Sequence, residues 1–480
     1  MKIFYFDPLV HLIRYAFFTL QILIMKHSIS LRTTSFLFSL IIIVSCQKGI
    51  EKQPTQQEEF SAAANQEHGH LQQTKTFSSE VGRKWQELQL RILRIAGTSP
   101  FGLNGNRYIA YNAIALYESV VPGMPGYQSL YGQLTGMPAM PSAEPGKAYH
   151  WPTAANAALA FLTKSLYTLA SPAYKSSMDS LENALKNEYQ QQVNATTFQR
   201  SENFGRQVAQ LVFDWSKTDG ALTAWPAYQM SSDVTKWRPV APNPTTVSAP
   251  YWGLNRLFVR GSTDNTASPP PPEYSIDPNS AYFKMVKEVY DISQTLTSEQ
   301  IATALYFRDN PGFQGGTHYQ FIFSQVMNDE NPQLDFYAVA QAKVAIAMAE
   351  SQIDCWKKKY EILTDRPTRY IRNVMGHTGW NSLLSMPNHP DFPSGHSQTG
   401  GSFAAIMTSL FGDNYPVTLH TYDNLGMAPR PYNSFNELAE DIGRSRVYAG
   451  IHYTYSCAEG KKQGEKIAMN ILNILKFKKD

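Results

Sequence analysis

Apolar positions recur at helical spacing along most of the chain, and strict two-residue alternation is scarce. Trp85, Leu88, Ile92 and Leu93, then Ile95, mark one face of a helix that starts near Val81. Tyr108, Ala113, Ala115, Leu116 and Val120 carry the pattern through 107–121, and Pro122-Gly123 ends it. Residues 153–187 and 196–216 predict further helices. So do 281–308 and 334–363, the latter studded with Ala338, Ala340, Ala342, Ala345, Ala347 and Ala349, small side chains that let helices approach closely. Between 218 and 280 Pro, Asn, Ser and Thr dominate, with four prolines in a row at Pro269 to Pro272. That stretch predicts a long loop dividing an N-terminal helical half (81–217) from a C-terminal bundle (281–480). Long loops inside compact domains are often functional; a surface wrap is the alternative. No repeat of fixed period is present. The pattern predicts an all-α fold built as helical bundles.

The start of the chain reads differently. Met25-Lys26 opens a short basic region that includes Arg32, an apolar run from Phe36 to Val44 follows, and Ile43-Val44-Ser45-Cys46 closes it. This is the form of a secretory signal with a lipobox, cut before Cys46, which then carries the lipid. The run is short for a membrane span of about 20 residues, and an uncleaved anchor helix is the alternative. Residues 1–24 read as an upstream over-call, with Met25 the true start. Residues 47–80 are polar and predict a flexible tether, in which His68 and His70 are solvated rather than a metal pair. The expected location is the bacterial cell envelope, lipid-anchored on the periplasmic or outer-membrane side, with secretion as the alternative.

Composition narrows the classes further. Of 480 residues, 43% are hydrophobic and 17% charged, and 27 Tyr and 25 Phe supply material for a large core, so wholesale disorder is excluded. Such a length accommodates about three domains, or a single large helical one. Lys+Arg 42 against Asp+Glu 39 leaves a net +3, which excludes a strongly basic nucleic-acid binder; any anion site must be local. Three cysteines without a Cys-x-x-Cys pair exclude both a disulfide-dense scaffold and a cysteine-built zinc site.

Three segments in the C-terminal third carry the chemistry. In Lys359-Tyr-Glu-Ile-Leu-Thr-Asp-Arg366-Pro367 the two cations are seven apart, so on a continuous helix they share a face, and both reach far enough to meet on one anion. Pro393-Ser394-Gly395-His396 precedes an apolar run to Phe411, the form of a loop feeding a helix N-terminus. There free amides and the helix dipole favour an oxyanion, Ser394 adds a hydroxyl, Gly395 lets the backbone come close, and His396 adds a titratable ring. In Ser445-Arg446-Val-Tyr-Ala-Gly450-Ile-His452, an unbroken helix would point Arg446 and His452 about 120° apart. Either Gly450 breaks that helix or Arg446 reaches round. Three cations, a serine, a backbone amide and two histidines suit a tetrahedral or trigonal-bipyramidal oxyanion held against an imidazole. Structural salt bridges with two satisfied histidines are the alternative.

This ordered set resembles the vanadium-dependent haloperoxidase and type 2 phosphatidic acid phosphatase superfamily. Over about residues 80–475 the chain is similar to haloperoxidase-type lipoproteins of Bacteroidetes-like bacteria, also through Asn106-Arg-Tyr-Ile-Ala-Tyr, Asp309-Asn-Pro-Gly-Phe with His318, and Phe411-Gly-Asp-Asn414. The resemblance implies two packed helical bundles and a vanadate cofactor. His452 would be the apical vanadium ligand. Lys359, Arg366, Ser394, the Gly395 amide and Arg446 would hydrogen-bond the equatorial oxygens, and His396 would act as acid–base. Hydrogen peroxide would be polarised by Lys359 and attacked by halide to give hypohalous acid, with an organic molecule as a further substrate and a homodimer as an assembly open to the chain. The same pocket suits an acid phosphatase, with His452 the nucleophile of a phosphohistidine and His396 protonating the leaving group. A lipoprotein that binds an oxyanion without turnover is the third alternative.

Several positions depart from the family pattern or refine it. Four residues after the ligand histidine the family usually has an aspartate that orients the ring; here stands Ser456, with Glu459 or Asp441 as substitutes. Asp365 takes a place where an aromatic is common, and pairing with Arg366 would soften the positive field. His389, seven before His396, matches a histidine of algal bromoperoxidases where fungal chloroperoxidases have phenylalanine. It leans toward bromide or iodide, an exposed loop histidine being the alternative. His377 and Trp380 are candidates for the pocket mouth. Cys355 and Cys457 fall in pocket-bearing segments, either as a disulfide or as two buried thiols.

Overall fold

The computed structural model describes residues 72–94, 100–240, 246–309 and 317–480. The signal region, Cys46, His68 and His70 lie outside the described residues. The apolar stripe from Val81 forms α1 (Glu80–Leu93), with Trp85, Leu88, Ile92 and Leu93 buried. The end of the predicted tether is packed rather than free. Thr74 is buried and donates to the Val120 carbonyl (2.7 Å), and the Trp151 indole donates to Gln72 O (2.8 Å), partners that polarity along the chain does not reveal.

α2 (Asn104–Val120) follows, buried on most of its surface. The apolar run 153–187 is two helices, α3 (Trp151–Leu166) and α4 (Pro172–Tyr189), because Ser171 caps the second with Pro172 in its first turn. α5 (Ala195–Ser216), capped by Asn194, completes the N-terminal bundle. The run 281–308 is likewise divided into α6 (Ala281–Gln294) and α7 (Ser298–Tyr306) by a capping box between Thr297 and Gln300. α8 (His318–Glu330) leads to α9 (Leu334–Ile362), then α10 (Pro367–Asn373), α11 (Gly395–Phe411), α12 (Phe435–Tyr448) and α13 (Thr454–Ile474). Between α11 and α12 the short strands β1 (Val417–Leu419) and β2 (Arg430–Tyr432) pair antiparallel, Val417 opposite Tyr432.

α9 is the axis of the molecule. Its alanines are buried, and it packs on α2 at one side and on α11 at the other. One hydrophobic core therefore runs from Trp85 and Ile114 through Ala345 to Phe403 and Ile467, joining both bundles. The Pro-rich stretch 218–280 holds no α-helix or strand among its described residues, but it is more than a surface wrap. Trp237, Phe258 and Val259 are buried. The Val259 amide and Ser262 hydroxyl donate to the buried Glu350 of α9 at 2.7 and 3.0 Å, and burial pushes that carboxyl up to about 8. Among the described residues no helix is long and apolar enough to cross a membrane.

α11 and α13 meet backbone to backbone. A Cβ on Gly401 would run into the Lys461 carbonyl, and one on Gly464 into the Gln398 carbonyl. Gly464→Ala should therefore destabilise the protein by about 1–3 kcal/mol, read as a lower urea midpoint. Gly379→Ala, with open space around the added carbon, should stay within about 0.5 kcal/mol of the parent.

Candidate functional site

Five separate pieces of chain bring the chemistry-bearing side chains to one end of the C-terminal bundle. Lys359 sits in the last turn of α9. Leu363, at φ 59, stops that helix, and Arg366 is the N-cap of α10 with Pro367 behind it. The two cations are thus on either side of a helix break rather than on one face, and they converge because both reach for the 389–391 backbone. The Lys359 ammonium donates to the carbonyls of Pro390 (2.8 Å) and Asp391 (2.7 Å). Arg366 donates to His389 O (2.8 Å) and to the carbonyl of Ile451.

Ser394 is the N-cap of α11, so Gly395 and His396 open that helix as the motif predicts. Arg446 lies in the last turn of α12. Gly450, at φ 73, then breaks the chain between the helices and leaves His452 in the turn before α13. Of the two routes open from sequence, the glycine break is the one taken.

Lys359, Arg366 and Arg446 are each no more than 2% exposed. Burial and the neighbouring Arg366 lower the Lys359 ammonium to about 8, and burial brings Arg366 down to about 10. Arg446 Nε meets Ser445 Oγ at 3.2 Å, while its buried Nη2 has no partner. Burial and the nearby cations hold His452 well below the ordinary histidine range, so its ring is neutral at neutral pH. His452 Nδ1 stands 2.8 Å from Asp391 Oδ1, and Ser456 donates its hydroxyl to Asp391 Oδ2.

Arg446 and His452 border a cavity of about 380 Å³ whose walls also include Asp309, Trp356, Pro387, His389, Gly395, His396 and Ile451, whereas Lys359, Arg366 and Ser394 are not on those walls. His396 Nε2 lies 3.0 Å from Asp309 Oδ1, and its backbone carbonyl accepts from Tyr319 (2.9 Å). His389 is not an exposed loop residue. Its ring packs on Trp356 (centroids 5.0 Å apart), its Nδ1 meets Arg366 (3.2 Å), and burial with the adjacent cations keeps it neutral.

A family model described as the VCPO second helical-bundle domain matches residues 340–478. Over 99 residues the chain is 30% identical to a vanadium-dependent bromoperoxidase of Ascophyllum nodosum, a match spanning 18% of each chain. The solved structure of the first bacterial vanadium-dependent iodoperoxidase superposes with a TM-score of 0.75 at 29% identity, over 84% of this chain and 98% of that one. The chain belongs to the vanadium haloperoxidase superfamily. A bacterial vanadium-dependent chloroperoxidase in its holo form shares the fold at 16% identity (TM-score 0.59, 79% of this chain and 94% of that one).

Against the superfamily's pattern, some expectations need correction. Neither Glu459 nor Asp441 replaces the missing aspartate, since the first pairs with Lys462 (2.7 Å) and the second accepts from Tyr432 (2.7 Å). Asp391, from a loop distant in sequence, stands 2.8 Å from His452 Nδ1 instead; it sits in the Asp391-Phe-Pro-Ser394 run that precedes His396. Asp365 binds Arg369 (2.7 Å) and leaves the Arg366 guanidinium unpaired by it. His377 stacks on Tyr290 (3.9 Å), and the Trp380 indole donates to Ser293 (2.8 Å); neither borders the cavity. Cys355 and Cys457 are free buried thiols, and Cys355 points at the Pro393 carbonyl (3.6 Å). Asp309, quoted in sequence only as part of a family run, proves to hold His396.

The donor set fits a vanadate or phosphate oxyanion. Three buried cations face the fully buried Asp391 and the cavity-wall Asp309, and an orphaned guanidinium nitrogen is costly without an acceptor. Among the described residues no three His, Cys, Asp or Glu side chains gather to chelate a cation, and an oxyanion needs none. In the ligand-free protein Lys359 loses its charge as pH rises through about 8. Phosphate affinity should therefore be fully present below that pH and fall above it, by up to about tenfold per unit. Lys359→Arg stays charged and should lack this fall. Calorimetric titration of both proteins checks the point, since the ligand's own ionisation cancels in the comparison.

Proposed function

We propose that this protein is a vanadate-dependent haloperoxidase that oxidises halide with hydrogen peroxide to hypohalous acid, favouring iodide or bromide. The observation that carries the reading is the bare, buried Arg446 Nη2 beside Lys359 and Arg366, around a neutral His452 backed by a carboxylate. Likeness to an iodoperoxidase over nearly all of that chain supports halide oxidation over phosphate-ester hydrolysis, and His389 on the cavity wall supports the softer halides.

When bound, vanadate supplies a Lewis-acidic vanadium(V) centre that activates peroxide toward halide. The chain's own residues do the rest. His452 would hold the metal through the ring nitrogen that Asp391 leaves free. Lys359, Arg366, Arg446, the Ser394 hydroxyl and the Gly395 amide would hold the oxygens. His396, with Asp309 on Nε2, takes and returns a proton at the cavity face. Trp356, Pro387 and Ile451 give that face apolar wall beside its polar groups. The apolar run before Cys46 supports a lipid anchor at the bacterial cell envelope. Cys46→Ala should move the protein from the membrane to the soluble fraction of cells, and unchanged partition would remove the anchor from this reading.

The deciding assay adds orthovanadate to purified protein, then peroxide with iodide or bromide. Vanadate-dependent halogenation is expected. Phosphate release from a phosphomonoester without halogenation would make the protein a phosphatase, and failure of both would make it an oxyanion-binding lipoprotein. His452→Ala should abolish turnover and vanadate retention together. His396→Ala should retain vanadate while turnover drops by about 10²–10⁴-fold.

A further inference from the structure

Resting on the haloperoxidase reading, we propose that Asp391 and Ser456 together position His452, the carboxylate coming from the loop before α11 instead of from four residues after the histidine. The family's aspartate belongs to the stretch that becomes α13. Here that stretch carries Ser456, and the carboxylate comes from the loop before α11. The two meet because α11 and α13 are in backbone contact, and the Ser394 amide donates to the Ser456 carbonyl (3.0 Å).

Both side chains are fully buried, and His452 is 3% exposed. His452 Nδ1 is 2.8 Å from Asp391 Oδ1, near enough for a charge pair though not aligned as a hydrogen bond, and neither atom has a hydrogen bond to any other group. Asp391 Oδ2 accepts from Ser456, so rotation of the carboxylate away from the ring would break that bond. The loop backbone is pinned as well: the Asp391 amide donates to Thr364 O (3.0 Å), and its carbonyl accepts from Lys359 (2.7 Å).

A plain counter-charge for the cations would accept their N–H groups. Lys359 and Arg366 instead donate to backbone carbonyls. The carboxylate is left to the imidazole, the serine and the Tyr453 amide. Its effect is to keep the proton on Nδ1 and the lone pair on Nε2, the nitrogen available to the cavity.

The test uses the full purified chain with orthovanadate as the probe, in calorimetric titration, and ¹⁵N NMR of the ligand-free histidines, with the His452 signals identified by their loss in His452→Ala. Asp391→Asn should weaken orthovanadate binding about 10–100-fold and turn a single Nδ1–H tautomer of His452 into a mixture. Ser456→Ala should move both readouts the same way by less. The exchanged pair, Asp391→Ser with Ser456→Asp, should recover most of the affinity and the single tautomer. Wild-type affinity and tautomer in a folded Asp391→Asn protein would overturn the proposal, as would an exchanged pair that folds yet matches Asp391→Asn. If the exchanged pair does not fold, Asp391→Asn alone decides. A wild-type protein that binds no orthovanadate would refute the haloperoxidase reading, and the tautomer measurement would still decide the role of Asp391.

Discussion

Three cations buried around Asp391, with Asp309 on the cavity wall, make a region that water screens poorly and that its own side chains neutralise only in part. Lys359 and Arg366 meet the cost in part by donating to backbone carbonyls, which carry partial rather than full negative charge. Arg446 keeps a nitrogen with no acceptor at all. An oxyanion in the cavity relieves both deficits at once, and the same burial and nearby cations that lower Lys359 and His452 toward their neutral forms keep the imidazole ready as a nitrogen donor. Binding and preorganisation thus have one electrostatic origin.

Holding that charge in place demands a stiff frame. α9 supplies it by being buried along most of its length, so the position of Lys359 is set by packing against both bundles. Close contact between α11 and α13 then fixes Ser394 and Ser456 relative to one another within a hydrogen bond. The loop 387–393 is caught between Lys359, Arg366 and α13, and so a segment without regular structure is held by hydrogen bonds from both sides. The Pro-rich stretch adds a further tie through Glu350.

Much of this was legible in the chain. The helical period of 81–93 and 334–362 named its elements, because burial on a helix requires apolar spacing near 3.6. Gly395, His396, Arg446 and His452 share one cavity, and Lys359 and Arg366 hold the 389–391 backbone that runs beside it. Helix breaks were less legible: 153–187 and 281–308 each divide where a cap residue captures a backbone amide, a local bond that competes with continued periodicity. Lys359 and Arg366 converge in spite of a broken helix, which spacing alone does not foresee.

By itself the sequence determined the helical class, the reactive residue types and their order along the chain, since these depend on local periodicity and on chemistry carried by each side chain. Only the tertiary structure decided who partners whom. Asp391 rather than Glu459 or Asp441 backs His452, Asp365 binds Arg369 rather than Arg366, Asp309 holds His396, His377 and Trp380 stay outside the cavity, and Cys355 and Cys457 remain thiols. Apart from Asp365 and Arg369, which are four residues apart, these pairings join segments distant in sequence. Such contacts are set by how buried helices pack, which the spacing of residues along one helix does not encode.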